Sequence, residues 1–367
     1  MNYNEKLMLH LLGVGLHTRK DTSFEFEDTN DWDALFDLCS DQGVLGIVSD
    51  GIDTMNEEGL IPEKYQFSHN MKMQWGYNVM KIEKTFIHQF KVSSMLAEEY
   101  AKENIRTVVL KGIAIARMYP QPIHRPCGDL DCFLMGDYEK GNVIAERLGA
   151  DVKRNFYKHS HIDIKKLTVE NHQFCTAIRG SKRYKDFERK LQNILSETEL
   201  HPIKNTKLLA PDSLFNALFL TEHAWGHFLR ESIKLRHVCD WAVLINRCGN
   251  VIDWQKFKEI ISVKDIKMLR FAEIMSVISH KYLGAAMPDI FTMNKDSEII
   301  AEKVLQSILN DNNSLYNHNY SNWQCRMMMI KNFLVGDWKY QEFSEESAIR
   351  HTFNIIWAFL FERNPHL

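Results

Sequence analysis

The sequence predicts an α+β protein, with a small mixed sheet embedded between helical N- and C-terminal regions. Three observations carry that expectation. Apolar residues recur at helical spacing through residues 1–104 and again beyond residue 206. Between these regions, runs such as RTVVL (106–110) and DLDCFLM (129–135) are β-branched or apolar and too short for helices. Gly and Pro punctuate those runs. The 367 residues then divide into a helical region 1–104, an α/β core 105–205 and a helical region 206–367.

In the first region Ile82, Phe86 and Phe90 step by four, and Met95, Leu96 and Tyr100 extend the stripe. Glu, Lys and Gln fill the opposite face. Irregular chain is expected near residues 18–33 and 56–62. The pattern changes at Arg106, where RTVVL suits a buried strand closed by Lys111-Gly112. IAIARMY reads as a short helix ending before Pro120, and PQPIHRPCG as loop. DLDCFLM is a second strand. Residues 137–150 form a helix with Asp137 as N-cap and Gly149 near its end. HSHIDIK and LTVENHQFCTAI are two further strands, joined by a short turn at Lys165-Lys166. Beyond Pro211, Asp212 opens a helix. Leu235, Val238, Ala242 and Ile245 mark the next, with Gly249 as its stop, and an apolar helix is expected around residues 346–363.

Composition narrows the function. A net charge of −3 without a basic block gives no strong nucleic-acid signal. The seven cysteines are Cys39, Cys127, Cys132, Cys175, Cys239, Cys248 and Cys325. Their number is odd and no C-x-x-C occurs, which argues against a disulfide framework or a zinc ribbon. Free thiols fit a reducing compartment. The N-terminus lacks a basic n-region before a clean apolar stretch. The longest apolar run, IIWAFLF at 355–361, is far short of the ~20 residues a membrane span needs. A soluble, cytoplasmic protein with no membrane span is expected.

The candidate chemistry lies at Asp129 and Asp131. At i and i+2 on a strand, both carboxylates leave one face. Their mutual repulsion is relieved by a divalent cation, and Mg²⁺ takes hard oxygen ligands together with substrate phosphates. Metal-assisted phosphoryl or nucleotidyl transfer is the reaction class this pattern suggests. Gly128 lets backbone or ligand approach closely. Gly112 sits where a strand turns into a helix, whose free amides favour an anion. Lys111 and Arg125 flank the spot and can balance phosphate charge.

Other residues have competing readings. His159, His161 and Asp163 alternate on one strand face, with His172 on the next strand. That set suits a transition metal, or more simply a half-exposed polar sheet face. His223 and His227 have zinc-compatible i, i+4 spacing, but no third ligand is suitably spaced, so packing or a substrate cleft is the plainer reading. Arg236 and Asp240, one turn apart, read as an ion pair or as cleft residues. Cys127 and Cys132 flank the aspartates, whose charge opposes thiolate formation, so neither is read as a nucleophile.

Strand, Lys-Gly, helix, Arg-x-x-Gly-Asp-x-Asp and strand, in that order, resemble the nucleotidyltransferase fold, the superfamily of DNA polymerase beta and aminoglycoside nucleotidyltransferases. LKGIAIARMYPQPIHRPCGDLDCFL resembles the signature of a bacterial group, the uncharacterised nucleotidyltransferase family. Lys111, Gly112, Tyr119, Pro120, Arg125, Pro126, Gly128, Asp129 and Asp131 match it. TVENH resembles its acidic strand, with Glu170 and His172, and LRHVCDWAVLI its later helix, with Arg236 and Asp240. The resemblance implies Asp129, Asp131 and Glu170 as catalytic ligands of two Mg²⁺ ions. It implies an NTP as donor, with ATP expected, and release of pyrophosphate. Lys111, Gly112, Arg125 and Gly128 would bind the nucleotide. The hydroxyl-bearing acceptor is unidentified, and its expected cleft lies between the α/β unit and the C-terminal helices, near His172, His223, Arg236 and Asp240. Ile113 departs from the superfamily, which usually has Ser or Gly after this glycine. That departure leaves open a catalytically inactive nucleotide-sensing or partner-binding protein that retains the fold. A phosphotransferase using the same metals is a third reading.

Overall fold

A computed structural model describes residues 1–178, 182–230, 232–263, 266–310 and 337–345. It is an α+β structure with one mixed sheet, and helices precede and follow that sheet.

The first helices are α1 (Tyr3–Gly15), α2 (Trp32–Asp41), α3 (Leu45–Glu57) and α4 (His69–Lys102). Their starts follow from side-chain caps. Asn2 accepts from the Glu5 amide at 2.9 Å while Glu5 accepts from the Asn2 amide at 2.8 Å, and Asp31 and Ser68 cap α2 and α4. Glycines let α1 and α3 approach closely. A methyl at Gly15 would lie 2.1 Å from the Ile47 carbonyl oxygen, and one at Gly51 would lie 2.2 Å from that of Leu11. Gly51→Ala is therefore expected to lower the unfolding free energy by about 1–3 kcal/mol, read from urea titration. An unchanged midpoint would show that the two helices separate at little cost.

The sheet runs β3-β4-β5-β2-β1-β7-β6. Its strands are β1 (Thr107–Val109), β2 (Leu130–Phe133), β3 (Asp151–Lys153), β4 (His159–Ile164), β5 (Leu167–His172), β6 (His201–Pro202) and β7 (Leu208–Ala210). β2 is parallel to β5 and β1 to β7, and the other pairs are antiparallel. Helices α5 (Ile113–Ala116), α6 (Tyr138–Arg147) and α7 (Lys182–Glu197) lie between strands. Alternation gives β2, β4 and β5 two unlike faces. Leu130, Cys132, Ile162, Ile164, Leu167 and Val169 pack with α4 and α6 in one apolar cluster. Asp131, His159, His161, Asp163, Glu170 and His172 face the other way.

Several elements differ from the sequence reading. β3, β6 and β7 are additional, and each has only two or three residues. β3 is a charged, exposed edge and β6 contains Pro202, so neither shows the usual strand pattern. β7 takes the sheet to Ala210, past residue 205. LTVENHQFCTAI ends its ladder at His172: the Gln173 and Phe174 amides turn to the Lys158 carbonyl, and Glu188 of α7 captures the two after them. Its carboxylate accepts from Cys175 at 2.8 Å and Thr176 at 2.7 Å. Asp137 occupies the N-cap position of α6 without a side-chain cap hydrogen bond. Lys165 and Lys166 both take positive φ, 47° and 65°, in the tight β4–β5 hairpin.

The following helices are α8 (Ser213–Arg230), α9 (Leu235–Cys248), α10 (Trp254–Ile261), α11 (Met268–Leu283) and α12 (Lys295–Leu309), with a further helix at Asp337–Phe343. Asp212 caps α8 by accepting from Phe215 at 2.7 Å, and Leu235, Val238, Ala242 and Ile245 are all buried. α1 to α3 share one apolar core with α8, α9, α11 and α12. Thr18 donates to the Leu283 carbonyl at 2.6 Å, and Gln42 to that of Ile308 at 3.2 Å. The helix expected around 346–363, the IIWAFLF run and Cys325 lie outside the described residues.

Candidate active site

Register builds the site. β2 pairs Asp131 with Glu170, and β4 pairs His161 with the same Glu170. Adjacent strands lie about 4.8 Å apart, so Asp131, Glu170 and His161 form one row with Glu170 at its centre. The next row places His172 beside His159. His172 Nε2 stands 3.2 Å from Asp131 Oδ1 and 3.4 Å from Glu170 Oε2. Oxygen and nitrogen atoms of Asp131, Glu170 and His172 thus lie close enough to surround one ion.

Lys111 completes the charge balance. Its Nζ lies 3.1 Å from Asp131 Oδ2 and 3.3 Å from His223 Nε2 on α8. An ammonium has no acceptor, so His223 Nε2 accepts this bond. Burial alone would lower the Lys111 pKa, but Asp131, Asp129 and Glu170 outweigh it and raise it. Burial likewise pushes Asp131 upward, and Lys111 and His172 outweigh that push and hold it well below the usual carboxylate range. Lys111 also favours ionised Asp129, but burial and then the Asp131 charge outweigh it and raise the Asp129 pKa. Glu170 is lowered: burial opposes its ionisation, and the hydrogen bond from His172 overcomes it.

Gly112 makes the turn that presents Lys111. Its φ of 60° and ψ of −112° are accessible to glycine at little cost and strained for other residues. The expected set of open amides after it is largely closed. Ala114 donates to Lys111, and Ile115 and Ala116 donate to Gly112. Ile113 is buried in the sheet's apolar cluster, so it contributes packing where a serine would offer a hydroxyl.

Arg125 is placed differently from the expectation of a phosphate contact. Its Nε and Nη2 each donate to Asp240 at 2.7 Å, both residues are buried, and Tyr119 donates to the same carboxylate at 2.7 Å. Asp240 therefore pairs with Arg125 rather than with Arg236. Two more ties hold the proline-rich loop. His124 lies 2.6 Å from Asp50 and 3.0 Å from Glu83, and Gln89 donates to the Gly128 carbonyl at 3.2 Å. Asp129 follows directly from this anchored loop.

A cleft beside Lys111 is lined by Thr221, His223, Arg236 and His237. It is enclosed by α8, α9 and α11, with Lys111 and Arg125 at its edge, and His227 stands next to it, with its ring centroid 4.6 Å from that of His223. Burial lowers His227 to about 3 and His237 to about 4. Both are neutral in the fold and titrate near 6.5 when unfolded. Their contribution to stability is present above pH 6.5 and is lost as pH falls toward 4. His172, raised despite its burial, works in the opposite direction. His227→Gln is expected to flatten the decline of the urea midpoint between pH 6.5 and 4. An unchanged slope would assign the decline to other groups.

Sequence reasoning missed the role of Tyr119 toward Asp240, the pairing of Arg125, and the inclusion of His237 in the cleft. Asp163 also falls outside the acid-histidine cluster, because Lys153 at 2.8 Å and Thr168 at 2.7 Å occupy its carboxylate.

Hard carboxylate oxygens on adjacent strands, with a lysine set against them, are a donor set chemically suited to a divalent cation and a phosphate. The comparison with protein families narrows that chemistry. The family model described as Uncharacterised nucleotidyltransferase matches residues 28–284, and the chain belongs to that family. The matched span runs from the loop before α2 to the left-handed Gly284 that ends α11. No curated protein and no solved structure matches the chain. No helix among the described residues is long and apolar enough to cross a membrane.

Proposed function

We propose that the protein is a Mg²⁺-dependent nucleotidyltransferase that moves a nucleotidyl group from an NTP, ATP foremost, to a hydroxyl acceptor. The observation that carries this reading is the placement of Glu170 opposite Asp131 on a parallel strand, with Lys111 3.1 Å from Asp131. The donor set fits Mg²⁺, because Asp129, Asp131 and Glu170 offer hard carboxylate oxygens and buried Asp131 Oδ2 already faces a cation, the Lys111 ammonium at 3.1 Å. Asp129, Asp131 and Glu170 would hold divalent cations, which supply Lewis-acid activation of the hydroxyl and neutralise the triphosphate.

The chain's own residues do the rest. Lys111 balances phosphate charge beside the acids. His172 fixes Asp131 and Glu170 through one ring nitrogen. The acceptor oxygen bonds to the α-phosphorus as the bond to the β-phosphate oxygen breaks. Pyrophosphate leaves, and the hydroxyl proton passes to the carboxylate cluster. Arg236 and the neutral histidines of the adjoining cleft favour an acceptor with polar or anionic groups.

The test is a screen of NTPs and hydroxyl acceptors with Mg²⁺, read by pyrophosphate release and by thermal shift. An Asp129→Asn/Asp131→Asn variant runs beside the wild type. Release that the double variant loses is the expected result. Equal, metal-independent nucleotide binding by both proteins, without release, would reject catalysis in favour of nucleotide sensing.

A further inference from the structure

A second group of side chains lies on the far side of Glu170 from Asp131. His159 Nε2 and His161 Nε2 are 3.0 Å apart, and Glu170 Oε1 lies 3.6 and 3.4 Å from them. The two imidazole rings are stacked, with planes 13° and centroids 4.9 Å apart, and both Nε2 atoms lie within 4.8 Å of the carboxylate oxygen. A tetrahedral ion with ligand bonds of 2.0–2.1 Å separates neighbouring ligand atoms by about 3.3 Å. The observed triangle has the dimensions of one face of such a tetrahedron.

We propose that His159, His161 and Glu170 Oε1 form a binding site for a first-row transition-metal dication of the Zn²⁺ type. Two observations support this besides the distances. Phe156 covers both rings, with centroids 5.4 and 4.7 Å away, and limits their freedom to turn outward. Glu170 presents its other oxygen, Oε2, to His172 at 3.4 Å, so one carboxylate serves two clusters without turning.

The chemistry differs from that of the acid pair. Imidazole nitrogens favour Zn²⁺ and related ions over Mg²⁺, whereas carboxylate oxygens suit Mg²⁺. The sheet would then carry a borderline-metal site and a hard-metal site joined through Glu170. The fourth position of the tetrahedron is left for water or a substrate oxygen. The histidine site stands whether or not the chain transfers nucleotides.

Co²⁺ titration of the untagged full chain tests it, because tetrahedral Co²⁺ has a visible absorption that octahedral Co²⁺ largely lacks. The expected result is one equivalent bound with that absorption, displaced by Zn²⁺ and unaffected by excess Mg²⁺. His159→Gln/His161→Gln should lose the band and weaken binding at least about 100-fold, the upper range for loss of an outer partner. His161→Gln alone, at a half-buried position, serves if the double variant does not fold. Asp129→Asn/Asp131→Asn should keep the band. The proposal is overturned if the wild type shows no band, if the histidine variants retain it, or if the aspartate variant abolishes it. The first two outcomes leave a hydrogen bond between the imidazoles as the whole role of the pair. Pyrophosphate release by the wild type is scored separately, so failure of the metal site and failure of nucleotidyl transfer are distinguishable.

Discussion

Asp131→Asn is expected to reduce pyrophosphate release at least about 1,000-fold at a temperature where the variant is still folded. A bound dication contributes several kcal/mol of charge stabilisation to a phosphoryl-type transition state, and three decades of rate correspond to about 4 kcal/mol. The substitution keeps shape and retains an oxygen for the His172 contact at 3.2 Å. It removes the carboxylate oxygen that faces Lys111 and the charge that holds a cation. It also leaves the Lys111 ammonium short of its nearest counter-charge, 3.1 Å away. Single-turnover measurement at saturating NTP and Mg²⁺ checks the prediction. Activity within about tenfold of the wild type would remove Asp131 from the reaction.

Asp240→Ala should cost about 3–5 kcal/mol of folding stability, the range found when one partner of a buried ion pair is deleted. Arg125 would then be buried with no carboxylate for its two 2.7 Å bonds, and the Tyr119 hydroxyl would lose its acceptor. The guanidinium cannot shed its proton to escape the cost. The loop that leads into Asp129 is fastened at this point, so activity should fall with stability. Urea unfolding measures the first effect and pyrophosphate release below the melting range the second. A stability loss under about 1 kcal/mol would show that water reaches Arg125 and that the pair is not a buried one. Charge reversal at both positions, Arg125→Asp with Asp240→Arg, offers a check on coupling between them.

What the sequence made legible follows from range. Asp131 lies on β2 as the local pattern suggests, whereas Asp129 stands in the bend just before Leu130, so strand alternation fixes the face of Asp131 and not that of Asp129. The α9 stripe and the Asp212 cap are equally local. Glu170 was reachable by resemblance, but its position opposite Asp131 needs the parallel register of β2 and β5, which no local pattern encodes. Arg125 read as a phosphate ligand because its partner Asp240 lies 115 residues away. Lys111 and His223, 112 residues apart, meet only when α8 packs against the turn. His159 and His161 alternate correctly in the sequence, yet the carboxylate beside them is Glu170, because Lys153 on β3 captures Asp163. β3 was invisible, since a three-residue exposed edge strand has no apolar alternation to detect.

The core shared by the first and last helices also sets an order of assembly on the ribosome. Thr18 leaves the exit tunnel 265 residues before Leu283, its hydrogen-bond partner. At synthesis rates of about 5–20 residues per second, that interval lasts roughly 13–53 s. The sheet and its apolar cluster with α4 and α6 have all their parts emerged by Ala210 and can consolidate during the wait. α1 and α3, locked together at Gly15 and Gly51, must hold their remaining apolar surface against solvent until α8, α9 and α11 arrive. The nascent chain therefore completes its acid-bearing sheet before it completes the helical core around it, and chaperone occupancy is expected on the early helices during that lag.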